Sequence, residues 1–277
     1  MTSSKYDEIG YWSEIKLEIV KDYANAYSRI MNANPVIKRH IYIDAFAGSG
    51  KHLSKRTGEF VPGSPLNALL VTPPFLEFHF IDLDGGKTQE LRRIAGGRKD
   101  VIIHEGDCNE VLLKEVFTRC QYKSYHRALC LLDPYAINVN WEVLQTAGQM
   151  ESIEIFYNFM IMDANMNVFW RNPDKVHSSQ KARMDQAWGD RSWSNAAYRK
   201  TPGLFGEMEE KADNEAVVEA FRRRLIEVAG FKYVPAPLPM RNAKGAVIYY
   251  LFFASPNKTG GEIVKQIFEK YSRKGVN

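Results

Sequence analysis

Residues 43–52 read IDAFAGSGKH, an apolar run that breaks into two glycines and a lysine. Such a loop can cradle phosphates, hold another cofactor or simply turn the chain, and its reading decides the fold. A phosphate-binding loop needs G-x-x-x-x-G-K-[ST], with the first glycine for the turn and the last hydroxyl for magnesium. Ala45 stands where that glycine belongs and His52 where the hydroxyl belongs. Magnesium prefers oxygen to an imidazole nitrogen, so the phosphate reading fails. The dinucleotide pattern G-x-G-x-x-G fails too, because no glycine follows Gly50 at the required step.

Short apolar runs alternate with helical patterns around the loop. Stretches 40–46, 76–81, 101–104, 128–132 and 153–159 predict strands, with helices over 86–95, 109–119 and 141–148. Continuously apolar strands separated by helices indicate an α/β, Rossmann-like, mostly parallel sheet with helices on both faces. Before it, Ile15, Ile19, Tyr23 and Tyr27 recur at four-residue steps, which predicts a helix over 13–31 capped by Ser13, within an N-terminal helical segment 1–35. After it, 214–229 reads as a helix stopped by Gly230. Stretches 231–235 and 246–254 then read as strands that, with no helix between them, pair antiparallel at the sheet edge. The polar, tryptophan-bearing stretch 160–213 reads as a partly helical insertion that serves a substrate or partner. The whole chain, 1–277, is expected to be one domain.

Composition narrows the setting. The longest apolar run, 247–254, is far too short to cross a bilayer, and the N-terminal stretch lacks the apolar core of a signal peptide. Cys108, Cys120 and Cys130 are too far apart for a metal or disulfide framework, so a reduced cytoplasmic chain with no metal is expected. Net charge is only +4, from 37 basic and 33 acidic residues, yet basic residues cluster at 38–40, 51–56, 92–99 and 222–224. That balance permits an anionic partner without demanding one.

What remains in the loop is D-x-F-x-G-x-G, from Asp44 to Gly50, directly after the first strand. It resembles the first motif of class I S-adenosylmethionine (SAM)-dependent methyltransferases. FAGSG, Phe46-Ala47-Gly48-Ser49-Gly50, is similar to the form found in enzymes that methylate exocyclic amines of nucleic-acid bases. A carboxylate at the strand end suits the methionine ammonium, and the two glycines let backbone approach a cofactor without phosphates. The next strand ends FIDLD, so that Asp82 or Asp84 can accept ribose hydroxyls, although Asp84 before GGKTQE also reads as a helix cap. The third strand ends HEGDCN. There the resemblance places Asp107, with Cys108 beside it, at the adenine of the cofactor. Three carboxylates after three successive strands meet at the C-terminal crevice, where open α/β sheets bind ligands.

The fourth strand ends in Asp133-Pro134-Tyr135 and resembles the [DNS]-P-P-[YF] motif of amino-methyltransferases, short of one proline. In that reading Asp133 and the Pro134 carbonyl accept the amine N–H groups and Tyr135 stacks on the base. Asn158, at the end of the fifth strand, is placed to line the substrate cleft. Ser64-Pro65 opens a helix, with Ser64 as cap and its first amides facing a cofactor carboxylate or substrate phosphate. Lys16 either reaches the methionine carboxylate or stands on the surface.

The order of signatures is narrower still. YWSEIKLEIVKDYANAY, YIDAFAGSG, GSPLNAL, FHFIDLD, EGDCN, LLDPYAINVNWE, FYNFMIMDANMN and the NPDKV…RM…WGD…SW stretch together resemble the three-Cys-motif partner protein family, from about Tyr11 past Trp193. The resemblance implies a methyltransferase-like fold, SAM as cofactor and a radical-SAM-like partner that itself carries the three cysteines. The expected activity is methylation of a nucleic-acid base. The alternatives are an accessory role beside that partner, or a protein or small-molecule substrate.

Overall fold

The structure is a computed structural model and describes residues 7–203 and 206–274. A short strand β1 (Asp7–Ile9) precedes helix α1 (Tyr11–Ala33) and the first sheet strand β2 (Arg39–Asp44). A hairpin of β3 (Lys51–Ser54) and β4 (Phe60–Pro62) leads to α2 (Ser64–Leu69), β5 (Glu77–Asp82), α3 (Gly85–Ala95) and β6 (Val101–Glu105). Next come α4 (Cys108–Val111), β7 (His126–Leu132), α5 (Trp141–Gln149) and β8 (Ile153–Phe159). The segment before the next long helix holds α6 (Ile161–Asn167), α7 (Ser178–Trp188), α8 (Trp193–Ala197) and a hairpin of β9 (Tyr198–Gly203) and β10 (Gly206–Lys211). Finally come α9 (Asn214–Glu227), β11 (Leu238–Arg241), β12 (Val247–Ala254) and α10 (Lys258–Lys274).

Seven strands pair in the order β11-β12-β8-β7-β2-β5-β6. Those from β8 to β6 are mutually parallel, while β12 runs antiparallel to both of its neighbours. The central strands are buried on both faces, which is why their sequences are apolar without alternation. Ile41 and Ile43 join the core under α5, α7 and α9, whereas Tyr42 joins the opposite core under α1 and α10.

Several boundaries differ from expectation for identifiable reasons. Gly10, not Ser13, is the N-cap residue of α1, so the 1–35 segment carries strand β1 as well as a helix, and residues 1–6 lie outside the described residues. Stretch 109–119 is not one helix: α4 gives way to a wider π-turn at Leu112–Val116 and a tighter turn at Phe117–Arg119. The expected antiparallel pair at the sheet edge is present, but its outer strand is β11. Stretch 231–235 contributes only a bridge from Tyr233 to Ser255. The antiparallel strand β12 therefore lies one place in from the edge.

Candidate active site

The loop after β2 is built to leave one carboxylate uncompensated. Asp44 is fully buried at the strand end. One oxygen accepts the Phe46 N–H at 3.3 Å, while Oδ2 has no hydrogen-bond partner among the described residues. Burial, and to a lesser degree the neighbouring Asp133, pushes its carboxyl up to about 7, against the opposing pull of the Ser64 hydroxyl, the Phe46 amide and the Lys16 ammonium. Gly48 and Gly50 both adopt left-handed backbone, with φ of 63° and 82°. A side chain at Gly50 would stand 3.2 Å from a Leu91 methyl, so both backbone and space require glycine there. The Gly48 N–H donates to Asp82 Oδ2 at 2.8 Å and the Ala47 N–H to the Ile81 carbonyl at 2.9 Å, which ties the loop to the end of β5. Phe46 is half-buried beside them.

The three carboxylates at the ends of β5 and β6 divide their work. Asp82 spends both oxygens on backbone, the second on the Asp84 N–H at 2.9 Å, so it braces the loop. Asp84 caps α3 through Oδ1 alone, which accepts from Gly86 and Lys87 at 2.8 and 3.1 Å. Asp107 does the same for α4, accepting from Asn109 and Glu110 at 2.9 and 3.3 Å. Each of these caps keeps Oδ2 free of hydrogen bonds among the described residues, so capping and ligand binding are compatible. Cys108 is buried, and burial pushes its thiol up to about 12. Ser64 is not a helix cap, since Gly63 holds that position; its hydroxyl lies near Asp44 and favours the ionised carboxyl.

Asp133 sits at the end of β7 in a cleft of about 180 Å³ that Lys16, His52, Tyr135, Asn158 and Tyr249 also line. The Lys16 ammonium donates to Asp133 Oδ2 and the Asn158 amide to Oδ1. Lys16 is thus no surface residue: its side chain is 9% exposed, and its ammonium lies 5.7 Å from the centre of the Tyr249 ring. Three buried polar atoms on residues that line this cleft have no hydrogen-bond partner among the described residues, namely His52 Nδ1, Asn158 Oδ1 and the Tyr249 hydroxyl. Burial, reinforced by the Lys16 charge, lowers the His52 pKa, so its imidazole is neutral at pH 7. Pro134 is buried, while Tyr135 stands at the mouth, 69% exposed, where its hydroxyl donates to Asp7 at 3.1 Å. Lys87 donates to the same Asp7 oxygen at 2.9 Å, so β1 bridges the start of α3 and the loop after β7.

Sequence reasoning missed Asp7, His52 and Tyr249. His52 registered only as a departure from a phosphate loop, and Tyr249 only as one residue of an apolar strand. Among the described residues no cluster of His, Cys, Asp or Glu is arranged to hold a metal ion, and the three cysteines are free and buried. No helix among them is long and apolar enough to cross a membrane.

The strand order with a single reversed strand decides the architecture. The fold is Rossmann-like, of the class I methyltransferase type. Among solved structures, a Legionella pneumophila protein of the DUF519 family model aligns over 92% of this chain and 91% of its own, at 12% identity and a TM-score of 0.56. Trm5b from Pyrococcus abyssi aligns over 83% of this chain at 14% identity and a TM-score of 0.39, and this chain covers 48% of its length. A SAM-dependent methyltransferase from Leishmania major aligns over 87% of this chain and 72% of its own, at 10% identity and a TM-score of 0.40. At 12% identity the likeness to the Legionella protein is one of fold. No protein-family model matches the sequence, and no curated protein matches it.

Proposed function

We propose that the chain is a SAM-dependent methyltransferase that acts on a nucleic-acid base presented to Asp133. One observation carries the cofactor assignment: the fully buried Asp44 Oδ2 has no hydrogen-bond partner among the described residues, beside a glycine loop in left-handed backbone. An orphaned carboxylate oxygen at that depth costs stability unless a ligand cation meets it. The methionine ammonium of SAM fits that need, and Asp84 Oδ2 and Asp107 Oδ2 would hold the ribose hydroxyls and the adenine amine. When bound, SAM supplies an activated methyl group.

The rest belongs to the chain. An exocyclic amine is a poor nucleophile because its lone pair is delocalised into the ring. Asp133, accepting an N–H from it, draws the nitrogen toward tetrahedral geometry and offsets charge that develops there. Asn158 fixes the carboxylate from one side, and Tyr135 at the mouth offers a ring for stacking. The glycine loop and Asp82 form a prebuilt cradle. Calorimetry with SAM and with its demethylated product tests the cofactor assignment; folded protein that binds neither would end it. Labelled methyl transfer into RNA, DNA and protein extracts tests the substrate, and label confined to protein or small metabolites would end the base-directed reading.

A second reading is favoured by one observation. Both oxygens of Asp133 are already engaged, by Lys16 and Asn158, as would suit a fold kept for assembly with a radical-SAM-like partner. That reading predicts that Asp133→Ala leaves the activity of the co-purified assembly intact.

A further inference from the structure

Helix α6 begins at the cleft and ends beside an exposed aromatic ring. Met160, its N-cap residue, lines the cleft. Asp163 in its first turn accepts the Ile137 N–H at 2.9 Å, which fixes α6 to the loop that follows Tyr135. Arg183 of α7 pairs with the same carboxylate at 3.0 Å. With a rise of ~1.5 Å per residue, the helix carries the chain roughly 10 Å from the cleft, about three stacked bases at ~3.4 Å each.

At that distance Met166 is 67% exposed and Trp170 42%. Trp170 is held in place, because its indole N–H donates to the Met166 carbonyl at 2.8 Å. Its neighbour Phe169 is buried with its ring 5.9 Å from that of Trp193, which anchors the turn from below. Two cations gather here. The Lys211 ammonium donates to Asn165 at 2.8 Å, and burial first, then the Arg171 charge, lowers its pKa. Neither Arg171 nor Lys211 has a carboxylate partner among the described residues. A fixed, partly exposed ring beside positive charge with no carboxylate partner among the described residues suits a ligand that carries both flat rings and anions, which is the chemistry of a single-stranded nucleic acid.

We propose that Met166, Trp170, Arg171 and Lys211 form a docking platform for the single strand that flanks the base in the cleft. A neighbouring base stacks on Trp170 and the phosphates lie against Arg171 and Lys211. The platform rests on the base-directed reading above and assigns the insertion its role.

The test is anisotropy of labelled mixed-sequence single-stranded RNA and DNA, titrated with the full chain at several salt concentrations. Trp170→Ala is expected to weaken binding about tenfold, and Trp170→Phe to restore most of it. Arg171→Glu with Lys211→Glu is expected to flatten the dependence of log affinity on log salt by roughly 1.4, since each phosphate contact on a single strand contributes ~0.7. Thermal melts check that each variant is folded. Wild-type binding left unchanged by all three variants overturns the platform and spares the base-directed reading. A wild-type chain that binds SAM but neither nucleic acid overturns both and leaves the cofactor assignment standing.

Discussion

The Lys16 ammonium and the Asp133 carboxylate, 117 residues apart in the chain, are paired in the cleft where a target nitrogen would have to be held. Replacement of Lys16 by Met leaves Asp133 with Asn158 as its remaining donor, at a cost of about 1–3 kcal/mol in stability. The double variant Lys16→Met/Asp133→Leu should recover most of that loss, because removal of both partners of a buried pair is tolerated far better than removal of one. Chemical denaturation of the two variants checks the ordering. Neither should recover methyl transfer.

Asp133→Asn keeps the shape and removes the charge. Methyl transfer to extracted nucleic acid should fall on the order of a hundredfold, with the affinity for SAM little changed. Initial rates with labelled SAM, set beside calorimetry, separate the two effects.

Cofactor affinity should depend on pH through Asp44. Its carboxyl is pushed up to about 7, so most of it is protonated at pH 6 and most ionised at pH 8. Only the ionised form pairs with an ammonium, and the α-amino group of SAM itself begins to lose its proton near pH ~8, so SAM should bind about fourfold more tightly at pH 8 than at pH 6. Binding at pH 6 should also release a proton, seen as a calorimetric enthalpy that changes with the ionisation enthalpy of the buffer.

The same group predicts a stability trend of opposite sign. A carboxyl whose pKa is raised on folding, from 3.8 to about 7, favours the folded state below about 4, and that advantage is lost as pH rises toward 7. Asp44→Asn should therefore raise the melting temperature of the ligand-free protein at pH 7.5 by a few degrees while it abolishes SAM binding. A variant less stable than the parent at pH 7.5 would contradict this.

The two loop glycines should respond differently. Gly48→Ala meets open space and bears only the cost of left-handed backbone, about 1 kcal/mol. Gly50→Ala adds a clash 3.2 Å from Leu91 and should cost more. Paired melting curves give the difference directly.

The parallel sheet was legible because its strands are buried on both faces and so announce themselves as unbroken apolar runs; β8 falls on the expected residues. The strand-end carboxylates were legible for a related reason, since a strand in such a sheet must end at the crevice. Their division of labour was not. Whether Asp82 or Asp84 retains a free oxygen depends on which backbone N–H groups turn toward each, and no spacing encodes that. Helix α10 lies where no element is predicted from the sequence; its Gly260-Gly261 pair is a poor helix former. Yet Gly260 is where the helix packs against the core, and a side chain there would stand 2.7 Å from the Tyr23 hydroxyl. Lys16 was read as methionine-carboxylate ligand or surface lysine because a helix pattern alone does not show what packs against its polar residues.

Helix α10 also sets the order in which the molecule can be completed. Its Lys270 and Tyr271 reach Asp22 of α1 at 2.8 and 3.0 Å, and Val264, Phe268 and Tyr271 share one core with Ile19, Tyr23 and Tyr27. Helix α1, which carries Lys16, therefore has no finished seat until α10 has been made. During synthesis the crevice residues of β2, β5 and β7 are made before α10, so the lysine that pairs with Asp133 is locked beside them only after the strands of the crevice exist.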